Sequence, residues 1–369
     1  MTPDRSNRFY RSSLSKLGVV AAAGMLTLWG ILAIYRTQML MEGSPYFLLR
    51  QVIWAAAAWG IFGLFLQIKF KTLCRMAFFA AASGIVLLAA LPLFGLRING
   101  MRGWYELGFF TLQPSEIFKA FYLLYLVQVL HMRNLPAWGR LFAASGGIGC
   151  FVLLLLMQPD FGTMIVYLAG GFAALYFSGV KMRILWLFPA AAIPAAVTAV
   201  ALHSYMRSRI LHFLQPELDP TGGSWHLRQF AIAIARGEFS GVKDSMAVWS
   251  NSFLPLAHND SIFAALCEMQ GLAGGILILL LYIWLFYNLT QLAQLQISPL
   301  RRSLIDSINA MLIIQTLLHI LVNTGSIPPT GITLPLISYG GSSLLGTMLL
   351  LGTAMNAAQT QEPIGENRQ

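Results

Sequence analysis

An acidic residue at the edge of an apolar run is the position in this sequence best suited to chemistry. Residues 254–260 read Leu-Pro-Leu-Ala-His-Asn-Asp and close a long polar segment, directly before another apolar run. This places Asp260, with His258 and Asn259 beside it, at a predicted boundary between water and bilayer. Desolvation there raises the pKa of a carboxylate towards working pH, as a general base requires. The pattern therefore favours proton abstraction from a lipid-anchored substrate.

A helix cap is the structural alternative for Asp260. A helix is predicted to begin near Ser261, and Asp is a favoured N-cap residue because its carboxylate accepts hydrogen bonds from free backbone N–H groups. The residues alone leave both interpretations open. Glu268 would lie about two turns further along the same face of a continuous helix, where it either tunes Asp260 or faces the helix bundle.

Two opposite charges lie within another apolar run. Glu116 and Lys119 are three residues apart, so on a helix they share a face and can pair. Charges in hydrocarbon are costly and usually functional. An internal ion pair that fixes helix packing and a charged lining of a substrate cavity are both compatible with this spacing.

The composition places these residues in a membrane protein. Hydrophobic residues make up 57% of the chain and charged residues only 10%, whereas a soluble domain carries roughly 25% charged residues. Cys74, Cys150 and Cys267 form no CxxC pair and no metal-ligand spacing, so we interpret them as packing residues. The net charge of +10 reflects topology and attraction to anionic lipid heads. Nucleic-acid binding is not expected without a folded basic domain.

Apolar runs of about 17–25 residues predict an all-α integral membrane fold with ten transmembrane helices between residues 17 and 360. The runs begin near Leu17, Gln51, Met76, Ser115, Leu141, Phe161, Ile184, Ser261, Leu304 and Leu336. Lys and Arg cluster in alternate connections, which predicts cytoplasmic tails at residues 1–16 and 361–369. Residues 203–260 then form one long extracytoplasmic loop, in which 225–235 have the spacing of an amphipathic helix.

Four motifs follow one another along the chain. They are Gln-Pro-Ser-Glu-Ile-Phe-Lys at 113–119, Gln-Pro-Asp-Phe-Gly-Thr at 158–163, the segment 254–260 followed by Ile-Phe-Ala at 262–264, and the Pro-, Gly- and Ser-rich segment 327–343. Together they resemble the signature of the SEDS family, which includes RodA, FtsW and SpoVE. The motifs span most of the chain, and the subgroup stays open.

The resemblance implies a ten-span peptidoglycan glycosyltransferase of the bacterial inner membrane. Such enzymes polymerise lipid II on the outer side of that membrane, together with a class B penicillin-binding protein. Asp260 then corresponds to the catalytic aspartate of the family. The resemblance and the chemistry together suggest substrate-binding roles for Arg102, Trp104, Gln113, Glu116, Lys119, His258, Asn259, Ser338, Gly340, Gly341 and Ser342.

The leaving group in this reaction is a lipid pyrophosphate, which needs a cationic partner. Arginine suits it because the planar guanidinium donates two hydrogen bonds. The cations in the predicted outer segments are Arg97, Arg102, Arg207, Arg209, Arg228, Arg236 and Lys243. Arg102 has the best claim, because Arg-Gly-Trp at 102–104 resembles an Arg-Trp element of the family. We expect no firmly bound cofactor and no protein metal site, and a divalent cation at the pyrophosphate remains open.

Two other function classes fit a polytopic membrane protein. A lipid II flippase could use the same charges and helix breaks to line a translocation path, although it should carry them near the midplane in two matching halves. A non-catalytic scaffold of the elongation or division machinery would not need Asp260. The polar motif residues gather on the predicted outer side, which favours the enzyme.

Overall fold

The computed structural model of the chain describes most of its length. The described residues are 5–39, 46–98, 101–108, 110–188, 204–215, 225–242, 253–254 and 256–359, with the isolated residues 190, 194, 198 and 201. Most of them are helical. The helices are α1 (Arg5–Met39), α2 (Tyr46–Gln67), α3 (Phe70–Phe94), α4 (Pro114–Ile117), α5 (Lys119–Leu130), α6 (Ala137–Met157), α7 (Phe161–Phe177), α8 (Met182–Leu185), α9 (Ser204–Leu214), α10 (Trp225–Gly237), α11 (Ile262–Gln294), α12 (Pro299–Asn323) and α13 (Gly341–Ala357).

Within the described ranges, 6 helices are long and apolar enough to cross a membrane: α1, α2, α3, α6, α11 and α12. Helices α5 and α7 are shorter but also apolar. The chain is therefore a multi-pass membrane protein. The span predicted from Ile184 and much of the predicted loop 203–260 fall on residues outside the described ones, so ten spans and one long loop stay predictions.

The last helix, α13, packs against α2 through small residues and one buried amide. A Cβ atom on Gly341 would lie 2.4 Å from the ring of Trp54, so this approach requires glycine. At the other end, Nδ2 of Asn356 donates to the carbonyl oxygens of Phe65 and Ile68, both at 2.6 Å. These carbonyls lie at the end of α2, where the helix itself provides no partners.

A small antiparallel sheet, which the sequence analysis did not predict, follows α3. Its strands are β1 (Leu96–Ile98), β2 (Met101–Glu106) and β3 (Thr111–Leu112), in the order β1-β2-β3. The sheet lies over α3, because the hydroxyl of Tyr105 donates to the carbonyl of Leu87 at 2.7 Å. It leads the chain directly into the motif at 113–119.

Helix α10 confirms the amphipathic helix predicted at residues 225–235. Its residues Phe230 and Ala233 are buried against Ala264, Ala265 and other apolar residues. The helix therefore packs on the first turns of α11, which follow Asp260 in sequence.

Helix α11 is broken at Gly271, whose φ of 69° and ψ of −171° lie outside the helical region. The chain after α10 fills the break. The N–H of Leu272 donates to the carbonyl of Glu238 at 2.9 Å, and the N–H of Ala273 donates to that of Phe239 at 3.1 Å. These bonds replace the ones that the break removes, as buried backbone groups require. We refer to residues 237–242 as the hook.

The hook also contacts the turn of α11 that precedes the break. The N–H of Val242 donates to the carbonyl of Glu268 at 3.0 Å. Just before the hook, Nε of Arg236 lies 3.1 Å from Oε1 of Glu268, whose side chain is fully buried. A Cβ atom on Gly241 would lie 2.4 Å from the carbonyl oxygen of Met269, so the two segments meet backbone to backbone. Glu268 thus faces the hook.

Candidate active site

A cavity of about 820 Å³ lies where the four motifs meet. Its walls come from the sheet, from α2, α4, α7, α9 and α12, from the turn that carries Asp260, and from residues 327–333 and 339–343. Ile165 on α7 lines the cavity and is 37% exposed. A cavity lined by polar motif residues and by apolar residues of α7 and α12 can receive the head of a lipid together with the start of its apolar chain.

Asp260 lies in a tight turn directly before α11. The N–H of Asn259 donates to the carbonyl of Leu256 at 2.8 Å, and the N–H of Ser261 lies 3.4 Å from the same oxygen. Leu256 has a φ of 47°, which is uncommon for a residue other than glycine. Backbone conformations of this kind persist where the surrounding structure fixes them, often at functional sites.

The segment that leads into α13 fixes this turn. The hydroxyl of Ser338 donates to the carbonyl of Asn259 at 2.9 Å and accepts from the N–H of Leu334 at 2.8 Å. The N–H of Tyr339 donates to the carbonyl of His258 at 2.8 Å. Ser338 therefore positions the turn and does not line the cavity.

The side chain of Asp260 faces the cavity and does not cap α11, whose N-cap position is held by Ser261. Burial raises the pKa of Asp260 from 3.8 to about 6, and the nearby positive charge of Arg209 opposes this rise. A Cβ atom on Gly331 would lie 3.7 Å from Oδ2 of Asp260, so glycine there leaves room beside the carboxylate. Near neutral pH the group is ionised yet basic enough to accept a proton.

A second wall carries another carboxylate, Asp160. Its Oδ1 accepts from the backbone N–H of Thr163 at 3.1 Å, which makes it the N-cap of α7. Its Oδ2 accepts from Nε2 of Gln113 at 3.1 Å. All three residues line the cavity. Asp160 therefore caps α7, whereas Asp260 does not cap α11.

The predicted pair of Glu116 and Lys119 is confirmed. Nζ of Lys119 lies 2.7 Å from Oε2 of Glu116 and donates to Oε1 of Gln315 at 2.8 Å. Nε2 of Gln315 in turn lies 3.2 Å from the carbonyl of Thr333. Glu116 lines the cavity, whereas Lys119 is buried behind it and does not. Lys119 therefore links α5 to α12 and neutralises a cavity carboxylate.

Two arginines line the cavity among the described residues, Arg50 and Arg209. Nη1 of Arg209 donates to the carbonyl of Pro329 at 2.8 Å, which holds α9 against the segment 327–333. The guanidinium of Arg50 lies over the ring of Tyr46 at 4.7 Å from its centroid. A guanidinium group is the kind of donor that suits phosphate oxygens.

Comparison with known proteins identifies the family of this chain. A family model described as a cell cycle protein, which groups FtsW, RodA and SpoVE, matches residues 12–362. The chain belongs to the FtsW/RodA/SpoVE family. This membership confirms the resemblance predicted from the four motifs.

The FtsW/RodA/SpoVE relatives match over most of their length. A probable peptidoglycan glycosyltransferase FtsW of Thioalkalivibrio sulfidiphilus is 35% identical over 333 residues, covering 84% of this chain and 80% of the relative. The protein of the same name from Aromatoleum aromaticum is 31% identical over 355 residues, covering 92% and 86%.

Two solved structures share the fold. A chain from a study of how a peptidoglycan synthase complex coordinates polymerisation and crosslinking superposes with a TM-score of 0.79 at 28% identity, covering 93% of this chain and 97% of the other. A mutant of the rod shape determining protein RodA of Thermus thermophilus superposes with a TM-score of 0.70 at 25% identity, covering 92% and 96%.

The cavity collects most of the residues that the family motifs suggested. Trp104, Gln113, Glu116, Asn259, Asp260, Gly340, Gly341 and Ser342 line it. Ser342 also joins two motifs, since its hydroxyl accepts from the N–H of Gln113 at 3.0 Å.

Four of the suggested residues lie elsewhere. Besides Lys119 and Ser338, these are Arg102, which is exposed and donates to the carbonyl of Pro92, and His258. The ring of His258 lies 4.7 Å from that of Phe47, and burial lowers the pKa of its imidazole. These four residues do not line the cavity, whereas Arg50 and Arg209 do.

The sequence interpretation missed Asp160, Arg50 and Trp54 in the cavity, and did not single out Arg209 from the other cations. Asp160 carried a usable signal, because it lies within the motif at 158–163 and follows a proline. Arg50 and Trp54 lie on α2, outside every motif, and only the packing of α2 against α13 brings them to the site. Across the described residues, groups of three or more His, Cys, Asp or Glu side chains that could hold a metal ion are absent.

Proposed function

We propose that this chain is a membrane-embedded peptidoglycan glycosyltransferase that polymerises lipid II into glycan strands. The observation that carries the proposal is the carboxylate of Asp260, which faces an 820 Å³ cavity beside Arg209 with its pKa raised to about 6. Family membership and relatives named as peptidoglycan glycosyltransferases support the same activity.

In the proposed reaction, Asp260 accepts the proton of an acceptor sugar hydroxyl. The hydroxyl oxygen then bonds to the anomeric carbon of the donor sugar, and the bond from that carbon to the pyrophosphate oxygen breaks. The electron pair leaves with the lipid pyrophosphate, whose negative charge Arg209 and Arg50 would stabilise. The proton on Asp260 passes to solvent or to the leaving group, which restores the base.

The lipid parts of both substrates would extend past the apolar side of the cavity. Ile165, Phe161 and Leu318 are apolar lining residues that would contact prenyl chains. Trp104 and Trp54 provide flat apolar faces of the kind that stack on sugar rings, and Gln113 and Asn259 provide amide groups for sugar hydroxyls. This division matches a substrate with a polar head and a long apolar tail.

The decisive experiment is polymerisation of lipid II by the purified protein. We expect glycan strands from the wild type and none from Asp260→Asn, with and without a class B penicillin-binding protein, which we propose as the partner. Transport of fluorescent lipid II across vesicles without polymerisation would favour a flippase, and neither activity would favour a scaffold. Retained polymerisation in EDTA would show that the pyrophosphate needs no divalent cation.

We propose further that the protein lies in the bacterial inner membrane, with both tails in the cytoplasm and Asp260 outside. The alternation of basic connections supports this orientation. Single cysteines introduced by Phe239→Cys and Asn134→Cys, in a background without the three native cysteines, test it in intact cells. An impermeant reagent should label position 239, and labelling of position 134 alone would reverse the orientation.

A further inference from the structure

A second pocket lies between the α5–α6 connection and the α7–α8 connection. It has a volume of about 290 Å³ and is lined by Leu130, Ala137, Trp138, Arg140, Leu141, Ser178, Gly179, Val180, Lys181 and Ile184. Asp160 at the start of α7 faces the large cavity, whereas Ser178 follows the last residue of α7. The 17 residues of α7 correspond to roughly 25 Å of helix. The pocket therefore lies near the opposite face of the membrane.

The charges of this pocket are all of one sign. Arg140 and Lys181 line it, and no carboxylate is among the described residues that do so. The sequence itself has no Asp or Glu between Glu116 and Asp160, and none between Asp160 and Glu217. The surrounding chain therefore offers no acidic residue nearby in sequence to neutralise these cations.

Backbone and hydroxyl donors point to an anionic ligand as well. The pocket includes the first residues of α6, and the N-cap of this helix, Pro136, provides no side-chain cap. The free N–H groups of a first helical turn favour anions. The hydroxyl of Ser178 is buried and lacks a hydrogen-bond partner among the described residues. Nη1 of Arg140 lies 3.3 Å from the carbonyl of Leu130, which holds its guanidinium at the pocket.

The edge of the pocket that is exposed on the protein surface is apolar and suited to contact with lipid. Trp138 is 73% exposed and Phe142, one turn further along α6, is 84% exposed. Tryptophan beside a basic residue at the end of a membrane helix is typical of the interfacial region, where lipid head groups lie. A ligand here would hold its negative charge in the pocket and its apolar part against α6.

We propose that this pocket binds the phosphate head group of an anionic phospholipid of the inner leaflet. Arg140 and Lys181 contact the phosphodiester, Ser178 and the first N–H groups of α6 donate to its oxygens, and the acyl chains lie along Trp138 and Phe142. Basic pockets between membrane helices bind anionic lipids by the same means. The site is remote from Asp260 and its test does not depend on the transfer reaction.

Native mass spectrometry of the full-length protein in detergent tests this proposal. With equal concentrations of cardiolipin, phosphatidylglycerol and phosphatidylcholine, we expect at least tenfold preferential retention of the two anionic lipids. Arg140→Gln/Lys181→Gln should lose that preference. Arg133→Gln is the matched control, because Arg133 is exposed in the same connection but does not line the pocket, and it should bind as the wild type does.

Charge-preserving substitutions guard against a folding effect. Arg140→Lys/Lys181→Arg should retain the preference, and Arg140→Gln/Lys181→Gln should keep its thermal stability in phosphatidylcholine. Equal retention of all three lipids by the wild type would overturn the proposal, as would an unchanged preference in the double glutamine variant. Displacement of the lipid by millimolar glycerol phosphate would also overturn the proposal, because it would identify a site for a soluble phosphate.

Discussion

The side-chain amide of Asn323 joins the carbonyl of Asp260 to the first turn of α11. Its Nδ2 donates to the backbone carbonyl of Asp260 at 2.9 Å, and its Oδ1 accepts from the N–H of Ala264 at 3.1 Å. Asn323 is fully buried at the end of α12. The orientation of Asp260 therefore depends on a residue 63 positions away in the sequence.

Asn323→Leu removes both of these bonds and leaves two buried backbone groups without partners. We expect the free energy of unfolding to fall by about 1–3 kcal/mol for each unsatisfied group. We also expect kcat to fall by more than KM changes. Thermal unfolding and lipid II polymerisation measure the two effects. Thr324→Ala, at an exposed neighbouring position, should change neither, and wild-type kcat in Asn323→Leu would contradict the positioning role.

Asp260→Asn should reduce polymerisation about 100-fold or more, because general-base catalysis contributes on that order. Asparagine keeps the size of the side chain but cannot take the proton, so the protein should reach the membrane at wild-type levels. Asp306→Asn is the control, since Asp306 pairs with Arg302 at 3.8 Å and does not line the cavity. Near-normal polymer length from Asp260→Asn would rule out the base assignment.

The pH dependence follows from the raised pKa of Asp260. The rate should rise as pH increases through about 6 and reach a plateau above it, because the base must be ionised. The same shift costs stability, since a carboxyl group with a pKa raised from 3.8 favours the folded state less as pH rises from 3.8 to about 6. Asp260→Asn should therefore be at least as stable as the wild type at pH 8.

Arg209→Gln should move this profile to higher pH. The positive charge of Arg209 lowers the pKa of Asp260, so its removal lets burial raise that pKa further. Arg207→Gln is the matched control, because Arg207 lies on the same helix but is exposed and outside the cavity lining. An acidic limb that stays at the wild-type pH in Arg209→Gln would show that the two charges do not interact.

Lys119→Ala should be far more damaging than Arg133→Ala. Arg133 is exposed, whereas Lys119 is buried between Glu116 and Gln315. Loss of one partner of a buried ion pair costs roughly 3–5 kcal/mol. Glu116→Gln/Lys119→Ala should recover expression, because no unpaired carboxylate remains. Recovered polymerisation would then mean a structural pair, and its continued absence would place Glu116 or Lys119 in substrate binding.

Arg236→Gln should loosen the hook from α11. The buried carboxylate of Glu268 would lose its ion pair with Arg236, although Arg236 is 37% exposed and water reduces the cost to about 3 kcal/mol or less. Hydrogen exchange at Leu272 and Ala273, whose N–H groups bond to the hook, should rise. Arg228→Gln, at an exposed position of the same helix, should leave exchange there unchanged, and equal protection in both variants would disprove the coupling.

The fold could be predicted where the sequence pattern is local. Long apolar runs identified the 6 described helices that are long enough to cross a membrane, and apolar spacing identified α10. The break at Gly271 could not be predicted, because a single glycine in an apolar run is equally compatible with an unbroken helix. The sheet at 96–112 was missed because its strands, of 3, 6 and 2 residues, are too short to show a strand pattern in the sequence.

The site residues were likewise predictable only where they belong to a local sequence motif. Asp260, Gln113 and Ser342 belong to motifs that can be identified in one dimension, and the structure brings them to one cavity. The sequence did not show which side chains of a motif point into the cavity. The ring of His258 packs on Phe47 and Tyr339, while the neighbouring Asp260 faces the cavity. Arg50 reaches the site only through the packing of α2 on α13.

The bonds from Ser338 and Tyr339 to the turn that carries Asp260 have a consequence for biosynthesis. During translation, Asp260 is synthesised before Ser338 and Tyr339. It is also synthesised before Ser342, whose hydroxyl ties the motif at 113–119 to the last helix. A nascent or truncated chain that lacks its final helix would hold the carboxylate in an unfinished turn. The enzyme would therefore become competent only when insertion into the membrane is complete, which keeps partly made chains from consuming lipid-linked precursors.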